Sequence, residues 1–263
     1  HAQISRPNPT ATAVSNYSDI PVNLFTGTPD ISVPLYNMPT HSKDVNISVS
    51  ANYHPASHSK FNGVSELGSG WSLFAGGMIS RSAVDEPDDL TEGINQYTND
   101  MFDFNFMGHS GKFVITQTGV FMFETSNLKV SYTLPSNYRS PSEFTIFDDK
   151  GYKYIFTVGD MDTNVHATAP YLYSQGWNLQ EVFDPNGMKI VKIHYREEEI
   201  WESNMQVKRL VKIDYIESID VGIIDFEHTY TPPTLDTLEG ADPFKLESIA
   251  IKTLDGTVIK SFV

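Results

Sequence analysis

Cysteine is absent from the 263-residue chain. Disulfide scaffolds, thiolate-held zinc, iron–sulfur clusters and cysteine nucleophiles are excluded with it. Basic residues are scarce: 18 Lys and Arg stand against 33 Asp and Glu, a formal net charge of −15. A nucleic-acid surface needs a basic face to displace counterions from phosphate, and an anchor on anionic lipid needs one as well. The charge therefore speaks against both partners. No apolar run of about 18 residues occurs, so no segment spans a membrane as a helix. Helical periodicity is scarce too. Only Arg196 to Asn204, with Glu197, Glu198 and Glu199 near its start, reads as a short helix, and it reads equally as a charged hairpin tip.

What is present suffices to fold. The chain is 40% hydrophobic and 12% aromatic, which argues against disorder. A chain of this size hides about 70–75% of its extended surface on folding, as one large domain or two small ones. The dominant period is two. Val45, Ile47, Val49, Ala51 and Tyr53 alternate with Asn46, Ser48, Ser50 and Asn52, which puts the apolar set on one face of a strand. Val191-Ile193-Tyr195, Val211-Ile213-Tyr215 and Ile224-Phe226 repeat the pattern. Asn186-Gly187 and Asp255-Gly256 are two-residue hairpin signals, because both centres of a type I′ turn need positive φ. Asp149 to Gly151 and Gly108 to Gly111 read as longer hairpin loops. About 14–16 candidate strands follow, and with them an all-β fold of mostly antiparallel sheets built from successive β-hairpins.

A repeat runs through the last third. Leu179-x-x-Val182, Leu210-x-x-Ile213 and Leu246-x-x-Ile249 each open a strand, 31 and 36 residues apart (210 − 179 and 246 − 210), and a turn and second strand follow each. Such hairpins bury a face only by stacking in an array. The third copy runs into Val263 in mid-strand, so Thr257 to Val263 is expected to be an open edge of a longer protein. The start, His1-Ala2-Gln3, reads as a mature end left by signal-peptide removal or as an expression scar. Residues 1–80 are nearly neutral, while 85–103 hold seven acidic groups and no Lys or Arg. Asp160 to Pro170 is a linker or a long loop, and the chain divides coarsely there into 1–165 and 166–263.

Two segments carry a resemblance. Asp19-Ile-Pro-Val-Asn-Leu-Phe-Thr-Gly-Thr-Pro-Asp-Ile-Ser-Val-Pro-Leu-Tyr36 resembles the opening of Rhs/YD-repeat proteins, and Gly68-Ser-Gly-Trp-Ser-Leu-Phe-Ala-Gly-Gly-Met-Ile-Ser-Arg81 resembles a segment shared by those proteins and the SpvB/TcB-type N-terminal region. Phe144 to Phe156 fits, and the three Leu-x-x-[Ile/Val] hairpins resemble divergent YD-type units without the Tyr-Asp dipeptide. The resemblance implies an exported or cell-surface protein whose hairpins wind into a shell or carrier around a C-terminal effector. Residues 1–165 would be its N-terminal SpvB/Rhs-like β region and 166–263 divergent YD-type hairpin repeats, cut short at the C-terminus. The implied partner is the remainder of the same longer chain. A surface glycan or protein is the other partner class, for an adhesion or carbohydrate-binding module.

The chemistry-bearing residues fall short of complete motifs. Gly108-His109-Ser110-Gly111 is one residue short of a nucleophile elbow, and Gly70-Trp71-Ser72-Leu73 lacks its second glycine. His54 and His58 have helical metal-ligand spacing in a strand-and-loop context. Asp160-Met161-Asp162-Thr163-Asn164 matches the first ligands of a calcium loop, but Val165 and Tyr171 stand where Gly and Glu are required. Asp85 to Asp89 reads as a solvated acidic loop. Tyr97, Tyr138, Tyr171, Tyr173 and Trp201 are aromatics for a sugar-binding face or, more simply, for hairpin packing. No catalytic, metal or cofactor residue is assigned, and no enzyme activity is expected. The structural motif is Gly68, Gly70, Trp71, Gly76, Gly77 and Arg81: glycines for close backbone approach, an indole packed across a strand crossing, and an arginine expected to pair with the acids at 85–89.

Overall fold

The computed structural model describes residues 31–54, 64–83, 100–116, 118–134, 140–159, 161–164, 171–202, 206–232 and 242–263. These residues form eighteen strands and, among them, no helix. The pairings are antiparallel throughout, mostly between consecutive strands, as the period of two demands.

β1 (Ile31–Pro39), β2 (Asn46–Tyr53) and β3 (Trp71–Ala75) make a small sheet. Val45, Ile47 and Val49 are buried as expected, with Asn46 and Ser48 exposed between them. The chain then crosses into a fifteen-stranded sheet. β4 (Gly77–Ser82), β5 (Met101–Phe106), β6 (His109–Thr116) and β7 (Gly119–Met122) form one antiparallel run. β8 (Lys129–Thr133), β9 (Glu143–Phe147) and β10 (Lys153–Val158) form another. β11 (Met161–Asn164) and β12 (Tyr171–Ser174) are a hairpin whose first strand touches β15 (Gln206–Ser218) at Arg209.

β13 (Gly176–Phe183) joins the two runs. One edge pairs with β10 from Trp177 to Phe183. The other pairs with β4 over Gly176–Asn178 and with β14 (Lys189–Glu202) over Glu181–Phe183. Rings of the two runs meet beneath it. Phe102 stacks on Phe113 at 5.1 Å, Phe144 stands edge-on to Trp177 at 5.0 Å, and Phe106 meets Tyr154 and Phe156 at 4.9 and 5.0 Å. All are buried.

The three predicted hairpins are β13/β14, β15/β16 (Gly222–Tyr230) and β17 (Phe244–Lys252)/β18 (Val258–Phe262), side by side in the order β13 to β18. Their three-residue spacing has a physical origin. On a regular strand, residues i and i+3 face opposite sides. Gln180 and Glu247 are left out of the ladder as bulges, so Leu179 and Val182, and Leu246 and Ile249, turn to the same side. In the middle hairpin the bulge is Asp214, which shifts the structural frame to Ile213-x-x-Ile216.

Three local expectations change. Residues 196–202 are strand, paired from Arg196↔Lys212 to Glu202↔Gln206, so the hairpin reading holds and the helix does not. The partner strand satisfies the backbone that a weak local helix would have served. Asn186-Gly187 and Asp255-Gly256 are not two-residue turns. Only the glycines have positive φ, 82° and 87°, and Gly187 N–H donates to Asp184 O at 2.9 Å and Gly256 N–H to Thr253 O at 3.0 Å, the three-residue hairpin with a bulge. At the first, the Asp184 carboxylate takes the N–H of Asn186 and Met188. Nor is Gly108 to Gly111 a longer loop: Met107-Gly108 is a two-residue turn, both at positive φ (43° and 84°) and closed by Phe106↔His109, and His109 to Gly111 are already strand.

Candidate functional site

The Gly68–Arg81 segment builds the crossing between the sheets. Ser65 ties its start: its single Oγ–H is shared between Gly68 O, at 3.0 Å, and Trp71 O. A Cβ on Gly70 would lie 2.6 Å from the Tyr53 ring. The crossing itself is Gly76-Gly77, at φ 82° and 141°. A Cβ on Gly76 would meet Ile193 at 2.5 Å, and one on Gly77 would meet Cβ and Cα of Phe106 at 2.3 and 2.5 Å. Trp71 lies at the other end of β3, half-buried against Tyr53 with centroids 5.3 Å apart. It does not pack over the crossing; among the described residues Trp177 is fully buried, and its Nε1–H donates to Pro141 O at 2.7 Å.

Arg81 is no surface residue. Its side chain and that of Asp100 are each 1% exposed and form an ion pair, with Nε 2.6 Å from Asp100 Oδ2. Nη1 donates to buried Ser140 Oγ at 2.9 Å, and the guanidinium lies 5.8 Å from the Phe102 centroid. The expected partners at 85–89 lie outside the described residues. Two buried charges hold together only with their remaining donors and acceptors satisfied, so the cluster locks β4, β5 and the 140–141 segment in one arrangement.

A second polar cluster ties the 64–66 segment to the hairpin array. Glu66 Oε2 is 3.2 Å from His228 Nε2 and 3.5 Å from Lys212 Nζ, and Lys212 Nζ is 2.6 Å from Asp242 Oδ2. Burial pushes the Glu66 carboxyl up, but the His228 hydrogen bond and the Lys212 charge outweigh it and hold it below its usual value. A third cluster centres on Asp148, which accepts from Lys150 N, Tyr152 N and Tyr154 Oη. Burial first, then the Asp148 charge, raises the Tyr154 phenol. Each of the three clusters ties together segments distant in sequence or the two ends of a turn.

The remaining candidates disperse. His109 to Gly111 lie on β6, and Ser110 is an exposed strand residue rather than an elbow. Ser72 is exposed on β3. His54 is exposed at the end of β2, and His58 lies outside the described residues, as do Asp160, Asp85 to Asp89, Tyr97 and Tyr138. Asp162 and Asn164 sit on β11, in register with Tyr173 and Tyr171: extended strand rather than a loop wound round an ion. Among the described residues no group of three His, Asp or Glu is placed to hold a metal ion. Two polar clefts had no signal as motifs. One of about 450 Å³ opens where β13 parts from β14, with His194 stacked on Tyr215 at 4.0 Å. The other, of about 460 Å³, lies on the outer face of the small sheet.

No family model and no curated protein matches the sequence. Among solved structures the chain is similar to the crystal structure of TcdB2-TccC3, with a TM-score of 0.54 and 14% identity. The match covers 89% of this chain and 14% of that one. At this identity the likeness is one of fold.

Proposed function

We propose that the chain is a non-catalytic β scaffold, the N-terminal part of an exported or cell-surface Rhs/YD-repeat protein whose hairpins wall a shell or carrier for a C-terminal effector. The observation that carries this reading is the unbroken hairpin succession from β13 to β18, in a fold shared over 89% of the chain with one small part of TcdB2-TccC3. The resemblance of Asp19–Tyr36 and Gly68–Arg81 to Rhs/YD and SpvB/TcB-type segments supports it from the sequence side. The polar clusters suit a wall, since they brace one strand against another. The working partner is then the rest of the same polypeptide.

The test is electron cryomicroscopy of the full-length gene product, with fractionation of the producing cells. The reading expects these strands to continue into a closed hollow shell and the product to leave the cytoplasm. A full-length product in which residues 31–263 stand as a separate domain on a linker, or one confined to the cytoplasm, overturns it.

A further inference from the structure

The face of β2 turned away from the core carries Asn46, Ser48, Ser50 and Asn52, the polar half of the alternation that buries Val45, Ile47 and Val49. Neighbouring strands extend it. Asn37 of β1 accepts from Ser48 Oγ at 3.3 Å, and Ser32 Oγ donates to Asn52 Oδ1 at 2.7 Å. Phe74 of β3 is in register with Ser50 and shares this face. Its neighbours Leu73 and Ala75 pack on the core. The opposite wall is Asn105 with the Met107-Gly108 turn, and the two walls bound the cleft of about 460 Å³.

We propose that this cleft binds a neutral oligosaccharide. Its side-chain lining is four carboxamides (Asn37, Asn46, Asn52 and Asn105) and the Ser48 hydroxyl, with the Phe74 ring and Met107 as apolar surface. A carboxamide offers two donors and an acceptor, the complement of neighbouring sugar hydroxyls, each of which both donates and accepts. The Phe74 ring supplies the apolar surface on which the C–H face of a pyranose rests. The single charge in the lining, Asp44, is held by Lys150 at 2.9 Å, so a chain of net charge −15 presents an almost neutral cleft here. A polyanion finds no free cation in that lining, and an apolar ligand would strand the amides without partners. A peptide strand docks on a sheet edge through backbone groups, whereas this is a side-chain face. From Asn46 to Asn52 the face runs about 20 Å at roughly 3.4 Å per residue, the length of an oligomer rather than of one sugar. The proposal stands whether or not the chain is part of a shell wall.

The experiment titrates the 263-residue protein with the hexaoses of cellulose, xylan, mannan and chitin, and with hexagalacturonate as the charged counterpart, by amide NMR and calorimetry. At least one neutral hexaose is expected to shift the amides of residues 46–52 and 105–108. Asn46→Ala and Asn105→Ala, both at exposed positions, should each weaken that binding about three- to tenfold, the loss of one hydrogen bond, with an unchanged melting temperature. The NMR map on the unaltered protein decides the matter even if a variant misfolds. Silence towards all four neutral hexaoses at millimolar concentration, shifts confined to other surfaces, or tighter binding of hexagalacturonate in the cleft each overturns the proposal.

Discussion

At the scale of single residues, the glycine-rich motif is readable and its tryptophan misleads. Gly76 and Gly77 mark a crossing because no Cβ fits there, a constraint local enough to leave a mark in sequence. Burial is a tertiary property, so nothing in Gly176-Trp177-Asn178 distinguishes the indole that fills the core from Trp71, which lies half-open against Tyr53. The Arg81–Asp100 pair was unreadable for the same reason, since only the meeting of β4 with β5 selects Asp100 from seven nearby acids. Trp177→Ala should therefore cost about 3–5 kcal/mol, and Trp71→Ala well under half of that, in urea unfolding of the two variants side by side. Equal losses would place Trp71 in the core after all. Gly77→Ala tests the crossing. Its Cβ would press on the Phe106 backbone at a φ of 141°, where the neighbour cannot swing aside. A loss of about 1–3 kcal/mol or more is expected, against a smaller one for Gly108→Ala, which meets nothing within 4 Å. A Gly77→Ala protein that melts like the parent would show that the crossing is pliable.

At the scale of elements, strands were legible because one face is wet and the other dry, and the repeated Leu-x-x-[Ile/Val] was legible because each hairpin bulges. Turn types were not, since the side chain of Asp184 and the strain accepted at Met107 depend on strands already in place. Elements also carry the pH response. Glu66 reaches His228 on β16 and Lys212 on β15, and its carboxyl sits below its ordinary 4.5. A carboxyl lowered by folding stabilises the protein fully above the unfolded value and loses that contribution as pH falls through the folded one. Unfolding free energy measured in urea from pH 7 to 3 should carry no loss from Glu66 above about 4.5 and a decline below it. Glu66→Gln should be less stable at pH 7 and show a shallower acid decline. An unchanged acid slope would remove Glu66 from the account. The last strand gives a further expectation. Among the described residues β18 pairs with β17 alone, and Val258 and Ile259 are 53% and 63% exposed. An open apolar edge invites pairing with another copy, so light scattering should show association that rises with concentration and that Ile259→Lys suppresses. Scattering identical for the two proteins would show the edge to be protected.

At the scale of the whole molecule, the decisive strand is β13. It follows residue 165, where composition suggested a division, yet it is the strand on which the two earlier runs of the large sheet, β4 to β7 and β8 to β10, converge. Its edges hold β10 on one side and β4 on the other, and Trp177 fills the space between Phe102 and Phe144. A piece ending at residue 165 would leave those rings, with Tyr154 and Phe156, uncovered. Each large side chain exposed forfeits about 1.5–3 kcal/mol, and a domain holds only about 5–15 kcal/mol in reserve, so losing four or five such contacts exhausts it. A piece of 166–263 keeps its hairpin ladders but loses the face that Leu179 and Val182 pack into. Produced separately, residues 1–165 should lack near-ultraviolet dichroism and dispersed amide resonances. The piece 166–263 should show strand signal without a cooperative melt. Mixed, the two should regain the spectrum of the intact chain, because the missing contacts are all between the pieces. If 1–165 alone melts cooperatively with its aromatic signals in place, β13 is a late addition to a domain already complete, and the division near residue 165 is a true boundary of folding.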